Sequence, residues 1–413
     1  MKHVIVGSGP AGLSAARTLR RIAPSDRLVM VAEEAQPFYS KVLTSYFVGG
    51  KVPYENMLLS GAAEFQGEGV EILGGRQAVR VDPSSREVVL SDGERVGYDR
   101  LLLAPGASPA MPPIPGVKVP GVYTLWTHDD AVGMKDWVGE GQRAVVIGAG
   151  LVGLKAAEAL MVRGLSVTVV ELLDRVLPQI LVKEDAARVR KELERRGLSF
   201  RFDTMVMGIE GEGRAQRVLL GDETALDCDV VVLATGVRPN LGLAKSAGVA
   251  IGRGILVDQF LCTSAPAIYA AGDAAEGWDV ARGRKLPNPT WGNAAEQGRV
   301  AAHNMAGQTK PFNGAVTVNS LTFLGFAMAA VGITQPEGDY VRVESYTNPR
   351  TGDYRKIVLL GDRLVGGIAM GEMNMAGIWR GLIARKGSDG PTALSLLGGK
   401  TSYLASHGMG LGG

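Results

Sequence analysis

Gly7-Ser8-Gly9-Pro10-Ala11-Gly12 is preceded by the apolar run His3-Val4-Ile5-Val6 and followed by helical spacing from Leu13 to Ile22. Its three glycines stand where a dinucleotide fold needs a tight turn, close approach to a pyrophosphate and close packing of helix on strand. The amino end of that helix then faces the phosphates. Leu28 to Ala32 reads as the next buried strand and ends at Glu33, where a carboxylate can accept hydrogen bonds from both ribose hydroxyls. The order returns at Arg143 to Ile147, Gly148-Ala149-Gly150-Leu151-Val152-Gly153, a helix from Leu154 to Arg163, and Ser166 to Val170 ending at Glu171. A second dinucleotide is expected there. Glu171 would repel a 2′-phosphate and Leu172-Leu173 offer no charge, which favours NADH over NADPH; Arg175 keeps NADPH open.

Outward from these turns, Ala78 to Asp82 and Glu87 to Ser91 predict a hairpin, and Arg100 to Ala104, Val230 to Ala234 and Ile268 to Ala271 predict buried strands, each stopped by a glycine-containing turn. Met111 to Pro120, with four prolines, suits a stiff crossover. From Ala315 the texture changes to strands at Val341 to Tyr346, Lys356 to Leu360 and Leu364 to Met370 and a helix at Met375 to Arg385. The predicted fold class is α/β, with two Rossmann-like nucleotide-binding domains and a carboxy-terminal α+β domain. Residues 1–113 and 250–314 would form the first nucleotide domain, 114–249 the second, 315–398 the α+β domain and 399–413 a flexible glycine-rich tail.

Composition narrows the function. The 413 residues carry a formal charge of +2 from 44 basic and 42 acidic residues mixed along the chain, with no patch for nucleic acid or anionic lipid. Cys228 and Cys262 are the two cysteines; their spacing supports neither a disulfide framework nor a metal site, and both read as structural. The start of the chain runs into a strand pattern without an export leader, and no window has the ~18 apolar residues of a spanning helix. A cytoplasmic location is expected.

Several motifs in order resemble the pyridine nucleotide-disulfide oxidoreductase family over roughly residues 1–310. Gly7 to Gly12 resembles its FAD loop, Gly148 to Gly153 its NAD(P)H loop, Ala104-Pro105-Gly106 and Ala234-Thr235-Gly236 its domain-crossing turns, and Ala271-Gly272-Asp273-Ala274 its second flavin motif. The resemblance implies FAD contacts from Gly7, Gly9, Pro10, Ala11, Gly12, Glu33, Val79 through its backbone, Ala104, Gly106, Gly272 and Asp273, and NAD(P)H contacts from Gly148, Gly150, Leu151, Val152, Gly153, Glu171 and Gly236. A helix from about Asn293 to Asn304 would aim its positive end at the flavin ring; on it, Gln297 and Gly298 are either flavin contacts or mere surface and packing residues.

Departures from the family set the reaction. Phe38-Tyr39-Ser40-Lys41-Val42-Leu43 occupies the segment where disulfide reductases carry a redox cysteine, and Lys41 stands at the sulfur's place. The segment resembles the rubredoxin- and ferredoxin-reductase branch and the flavin region of bacterial nitrite reductases, where a basic residue approaches the flavin. Lys41 is accordingly the one catalytic candidate, steadying negative charge near flavin N5, with a solvated surface lysine as the alternative. Lys155 replaces a glutamate that faces the nicotinamide in many relatives, and Glu158 reads as a helix-face carboxylate. The expected function is hydride transfer from NADH to FAD, then electron delivery to a rubredoxin- or ferredoxin-type iron-sulfur protein. Trp379, Arg380, Arg385 and Lys386 form a candidate docking corner, with packing or homodimer formation as the other role of that domain. The alternatives are the FAD/NAD subunit of a multisubunit iron-sulfur enzyme such as phenylglyoxylate dehydrogenase, a redox-responsive signalling protein, and an NADH oxidase.

Overall fold

Unbroken aliphatic runs can be buried on both faces, which is how parallel strands are used. The computed structural model describes residues 1–35, 38–59, 67–338, 341–385, 387 and 390–397. In it the strand Lys2–Val6 lies between Arg27–Ala32 and Arg100–Leu103, and the five-stranded parallel sheet is completed by Val70–Gly74 and Ile268–Ala270. A second five-stranded parallel sheet has the order Ser199–Arg201, Ser166–Val170, Arg143–Ile147, Val230–Leu233, Val122–Tyr123. The expected hairpin forms from Ala78–Asp82 and Glu87–Leu90, with the Asp82 carboxylate accepting the Ser84 and Ser85 backbone N–H groups at 3.0 and 3.3 Å.

Both sheets belong to one compact unit, residues 1–174, 198–278 and 285–314. Within it the two strand-ending turns lead into a short antiparallel pair, Ala107–Pro109 with Val237–Pro239. Asn240 fixes that crossing, donating from Nδ2 to the Pro105 carbonyl at 2.9 Å and accepting from Ser108 Oγ at 2.8 Å. Helix Pro10–Ile22 packs on helix Trp291–Met305 through Gly298, where an added Cβ would lie 2.0 Å from the Ala11 carbonyl oxygen.

The other unit comprises 175–197, 279–284 and the described residues from Ala315. Its five-stranded antiparallel sheet has the order Val318–Phe323, Phe326–Gly332, Arg363–Met370, Tyr354–Leu360, Val341–Thr347. The first two strands were not among the expected ones. Their turn is Leu324-Gly325, both at positive φ (42° and 85°), and leucine hides a turn usually signalled by Asn or Asp. Helix Met375–Arg385 forms as expected and buries Trp379 completely. The sheet makes room with Gly367, whose added Cβ would sit 2.6 Å from the indole. Trp379 is therefore core, which overturns its place in a docking corner; Arg380 and Arg385 are exposed, and Lys386 lies outside the described residues. Helix Lys183–Arg195 is tied to the sheet through the buried Asp185, which accepts from the Tyr354 hydroxyl at 2.9 Å and from Lys356 Nζ.

Among the described residues no helix is long and apolar enough to cross a membrane, and no cluster of His, Cys, Asp or Glu could hold a metal ion.

Candidate active site

The two glycine turns are built alike. Gly7 and Gly148 have φ of +109° and +108°, and their N–H groups donate to Val31 and Val170 at 2.9 and 2.8 Å. An added Cβ would meet the Ala104 oxygen at 2.0 Å or the Ala234 oxygen at 2.4 Å. Gly12 and Gly153 press on the carbonyls of Gly7 and Gly148 in the same way, at 1.9 and 2.0 Å. Between them, Gly9 and Gly150 have nothing within 4 Å of an added Cβ, although both backbones are extended, with φ of −73° and −77°. The helices that follow, opened by Pro10-Ala11 and Leu151-Val152, have no side-chain cap and no acidic residue in the first turn. Their amide donors face the space beside the middle glycine, a ready site for phosphate oxygens.

The two carboxylates differ. Glu33 is exposed and accepts from Gln77 Nε2 at 3.0 Å. Glu171 is buried, and its oxygens accept the Ala149 N–H at 2.7 Å and the Leu173 N–H at 3.0 Å. Val79 is half exposed on the hairpin. Gly106 and Gly236, both at positive φ, accept backbone bonds from Asn240 and Ala110 at 3.0 and 2.9 Å.

Beyond the first turn, Gly272 at φ +82° donates its N–H to Gln297 Oε1 at 2.7 Å. Gln297 is fully buried and Gly298 is the helix contact described above, so neither is a surface residue. Burial pushes the neighbouring Asp273 carboxyl up to about 6, against the pull of the Lys41 ammonium. Among the buried polar atoms of the described residues that have no partner are three from this stretch: Gln297 Nε2, Asn293 Oδ1 and Asn288 Nδ2. The helix bearing two of them, Trp291–Met305, also starts without a side-chain cap or an acidic residue in its first turn. Asn288 and Asn293 escaped sequence reading because an asparagine beside Pro289 reads as a turn former and Asn293 as an ordinary residue of the helix start.

Lys41 is not a bare surface lysine. Its Nζ donates to Glu34 Oε1 at 2.7 Å, while Glu34 Oε2 accepts from the Tyr39 hydroxyl at 2.6 Å and the His128 N–H at 3.2 Å. On helix Leu151–Val162, Glu158 is buried rather than on an open face: it accepts from Lys51 Nζ at 3.0 Å and from Lys155 Nζ, which lies 4.3 Å from the Tyr46 ring centre. Of the thiols, Cys228 is buried in an aliphatic cluster and its pKa is pushed up to about 12. Cys262 is only partly buried, and desolvation raises it as well.

Two dinucleotide turns on two parallel sheets, with a second strand-end glycine beside a half-buried aspartate, define a two-nucleotide oxidoreductase. The chain belongs to the pyridine nucleotide-disulphide oxidoreductase family, whose profile matches residues 1–298, and residues 318–387 match the rubredoxin NAD+ reductase C-terminal domain. It is 34% identical over 392 residues to the NADH-dependent phenylglyoxylate dehydrogenase subunit epsilon of Aromatoleum evansii, covering 93% of this chain and 92% of the relative. It is 30% identical to the assimilatory nitrate reductase electron transfer subunit of Bacillus subtilis, over 89% of this chain but 47% of that protein, so it spans about half that relative's length. The covalent putidaredoxin reductase–putidaredoxin complex superposes with a TM-score of 0.91 at 26% identity, over 99% of each chain. FAD and NAD(P)H are accordingly its cofactors. The residues present fit them: the clear space over Gly9 and Gly150 lies at uncapped helix ends, and the buried Gln297 amide, whose Nε2 has no partner, stands beside Gly272.

Proposed function

We propose that the chain takes hydride from NADH at the second turn and delivers electrons singly to an iron-sulfur or rubredoxin-type protein. When bound, FAD supplies the conversion between a two-electron donor and one-electron acceptors. The backbone of Gly7, Gly9, Pro10, Ala11 and Gly12 would take its pyrophosphate, Glu33 its ribose, and Asp273 with Gly272 and Gln297 its ribitol end. Val79, Ala104 and Gly106 would line it through backbone. Lys41 would place an ammonium by the ring, the one catalytic contribution we assign to a side chain. Gly148, Gly150, Leu151, Val152, Gly153 and Gly236 would hold the nicotinamide dinucleotide, with Glu171 rejecting a 2′-phosphate. On this assignment residues 1–113 and 250–314 form the FAD domain and 114–249 the NAD(P)H domain.

The observation that carries the reading is the absence of a redox cysteine beside the flavin motif: Lys41 takes its place, Cys228 is buried in an aliphatic cluster, and desolvation raises the pKa of both cysteines. Electrons that cannot pass through protein sulfur must leave from the flavin itself. The rubredoxin-reductase-type carboxy-terminal domain and the named carrier complex support an iron-sulfur acceptor. Near full-length likeness to a dehydrogenase subunit favours a second reading, in which the carrier is a partner subunit and flux runs towards NAD+. Two unpaired thiols suit a reducing compartment, so we place the protein in the cytoplasm.

Anaerobic stopped-flow mixing with NADH or NADPH, followed by rubredoxin, ferredoxin, coenzyme A disulfide or oxygen, tests this. Fast bleaching by NADH with fast recovery only on a one-electron protein is expected. Recovery on the disulfide would overturn the reading, and recovery on no acceptor would favour the subunit.

A further inference from the structure

Lys41 has two acidic neighbours in different relations to it. Asp273 interacts with it through space, and Glu34 pairs with it directly at 2.7 Å. Glu34 is itself held by the Tyr39 hydroxyl and the His128 N–H, so its carboxylate has a fixed place. The acid on helix Leu151–Val162 is not available for this task, because Glu158 is bonded by Lys51 and Lys155. The Lys41 counter-ion is thus supplied from the residue after Glu33, at the end of the strand that also serves the ribose.

We propose that Glu34 is a positioning residue that sets the electrochemistry of the bound flavin, holding the Lys41 ammonium in place and offsetting part of its charge. The inference rests on FAD binding with its ring near Lys41. An ammonium favours the more negative, reduced form of a nearby group, and a carboxylate paired with that ammonium weakens the preference. The partial exposure of both side chains, 41% for Lys41 and 26% for Glu34, limits the effect without cancelling it.

The test is the midpoint potential of the holoprotein at fixed pH, in Glu34→Gln, Lys41→Met and the double variant. Glu34→Gln should raise the potential by about 30 mV, equivalent to a tenfold shift in the reduction equilibrium of a two-electron couple. Lys41→Met should lower it, and adding Glu34→Gln to Lys41→Met should raise it by clearly less than in the wild-type background, because part of the effect of Glu34 runs through the lysine it holds. An unchanged potential in Glu34→Gln, or the same rise in the Lys41→Met background, overturns the proposal. If Glu34→Gln does not hold FAD, Glu34→Asp is measured by the same criteria, since it keeps the charge and shortens the reach; a smaller rise supports the proposal and none overturns it. A wild-type protein that folds but retains no FAD defeats the underlying reading instead.

Discussion

Glu171 accepts a 2.7 Å hydrogen bond from the Ala149 N–H, so the carboxylate closing the second nucleotide unit is built into its own glycine turn. Glu33, its counterpart in the first unit, makes no such bond and pairs with Gln77. Removing Glu171 therefore affects both turn and ligand. A hydrogen bond to a buried charge contributes about 1.5–3 kcal/mol, and Glu171→Gln should lower stability by about that much in urea unfolding. Leu172, the next residue, is 58% exposed. In a Glu171→Ala/Leu172→Arg variant, loss of the repelling carboxylate and gain of a cation should move the NADPH-to-NADH ratio of kcat/KM upward about tenfold or more, an effect of about 1.4 kcal/mol. An unchanged ratio would remove the argument for NADH.

Asp273 gives a pH-dependent signature. Burial raises its carboxyl from 3.8 to about 6. Because the folded pKa lies above the unfolded one, the ionised carboxylate destabilises the FAD-free fold above pH 6, and the penalty fades as pH falls from 6 towards 3.8. Two units correspond to about 3 kcal/mol. Asp273→Asn should stabilise the FAD-free protein by up to about that amount at pH 7.5 and by almost nothing at pH 4, while FAD affinity drops. A gain that does not depend on pH would show that the carboxylate is not the source of the penalty.

Two tryptophans separate core from contact surface. Trp379 is fully buried against Gly367, whereas Trp291 is 39% exposed at the first residue of the helix that begins beside Asn288 and bears Gln297. Trp379→Ala should cost about 3–5 kcal/mol in unfolding with no selective effect on acceptor reduction. Trp291→Ala should leave stability and NADH-dependent bleaching nearly unchanged but weaken an iron-sulfur partner by about 2 kcal/mol, roughly thirtyfold. Stopped-flow titration with ferredoxin or rubredoxin distinguishes the two, and equal acceptor kinetics in wild type and Trp291→Ala would exclude the indole from docking.

The same pair marks where sequence reading stops. The glycine turns, both strand-end glutamates and the parallel strands were legible because backbone sterics and aliphatic runs act locally. Whether Trp379 faces solvent depends on Gly367, on a strand that its own helix covers, and helical spacing alone does not say so. The same holds for Glu158, an ordinary helix carboxylate until Lys51 from another segment meets it, and for Glu34, overshadowed by the adjacent Glu33. The hairpin at Leu324-Gly325 was missed for a different reason: a leucine occupies a left-handed position that is normally signalled by a polar residue.

Gly9 separates what the fold needs from what a ligand needs. At Gly7 the positive φ and the Ala104 oxygen, 2.0 Å from an added Cβ, both demand glycine, so Gly7→Ala should unfold the turn. Gly9 has φ −73° and ψ −173°, which any residue adopts, and nothing within 4 Å of an added Cβ. The chain alone gives no reason for glycine there, and alanine should even stabilise the FAD-free protein by about 0.4–1 kcal/mol by restricting the unfolded chain. The space that Cβ would fill lies at an uncapped helix end, where phosphate oxygens must approach the backbone closely. Gly9→Ala should therefore melt no lower than wild type after flavin removal, yet bind FAD at least tenfold more weakly in a fluorescence titration. Gly150→Ala should do the same for NADH while keeping FAD. Full FAD affinity in Gly9→Ala would mean that the pyrophosphate does not lie over this turn, and the assignment of the first nucleotide site would fail with it.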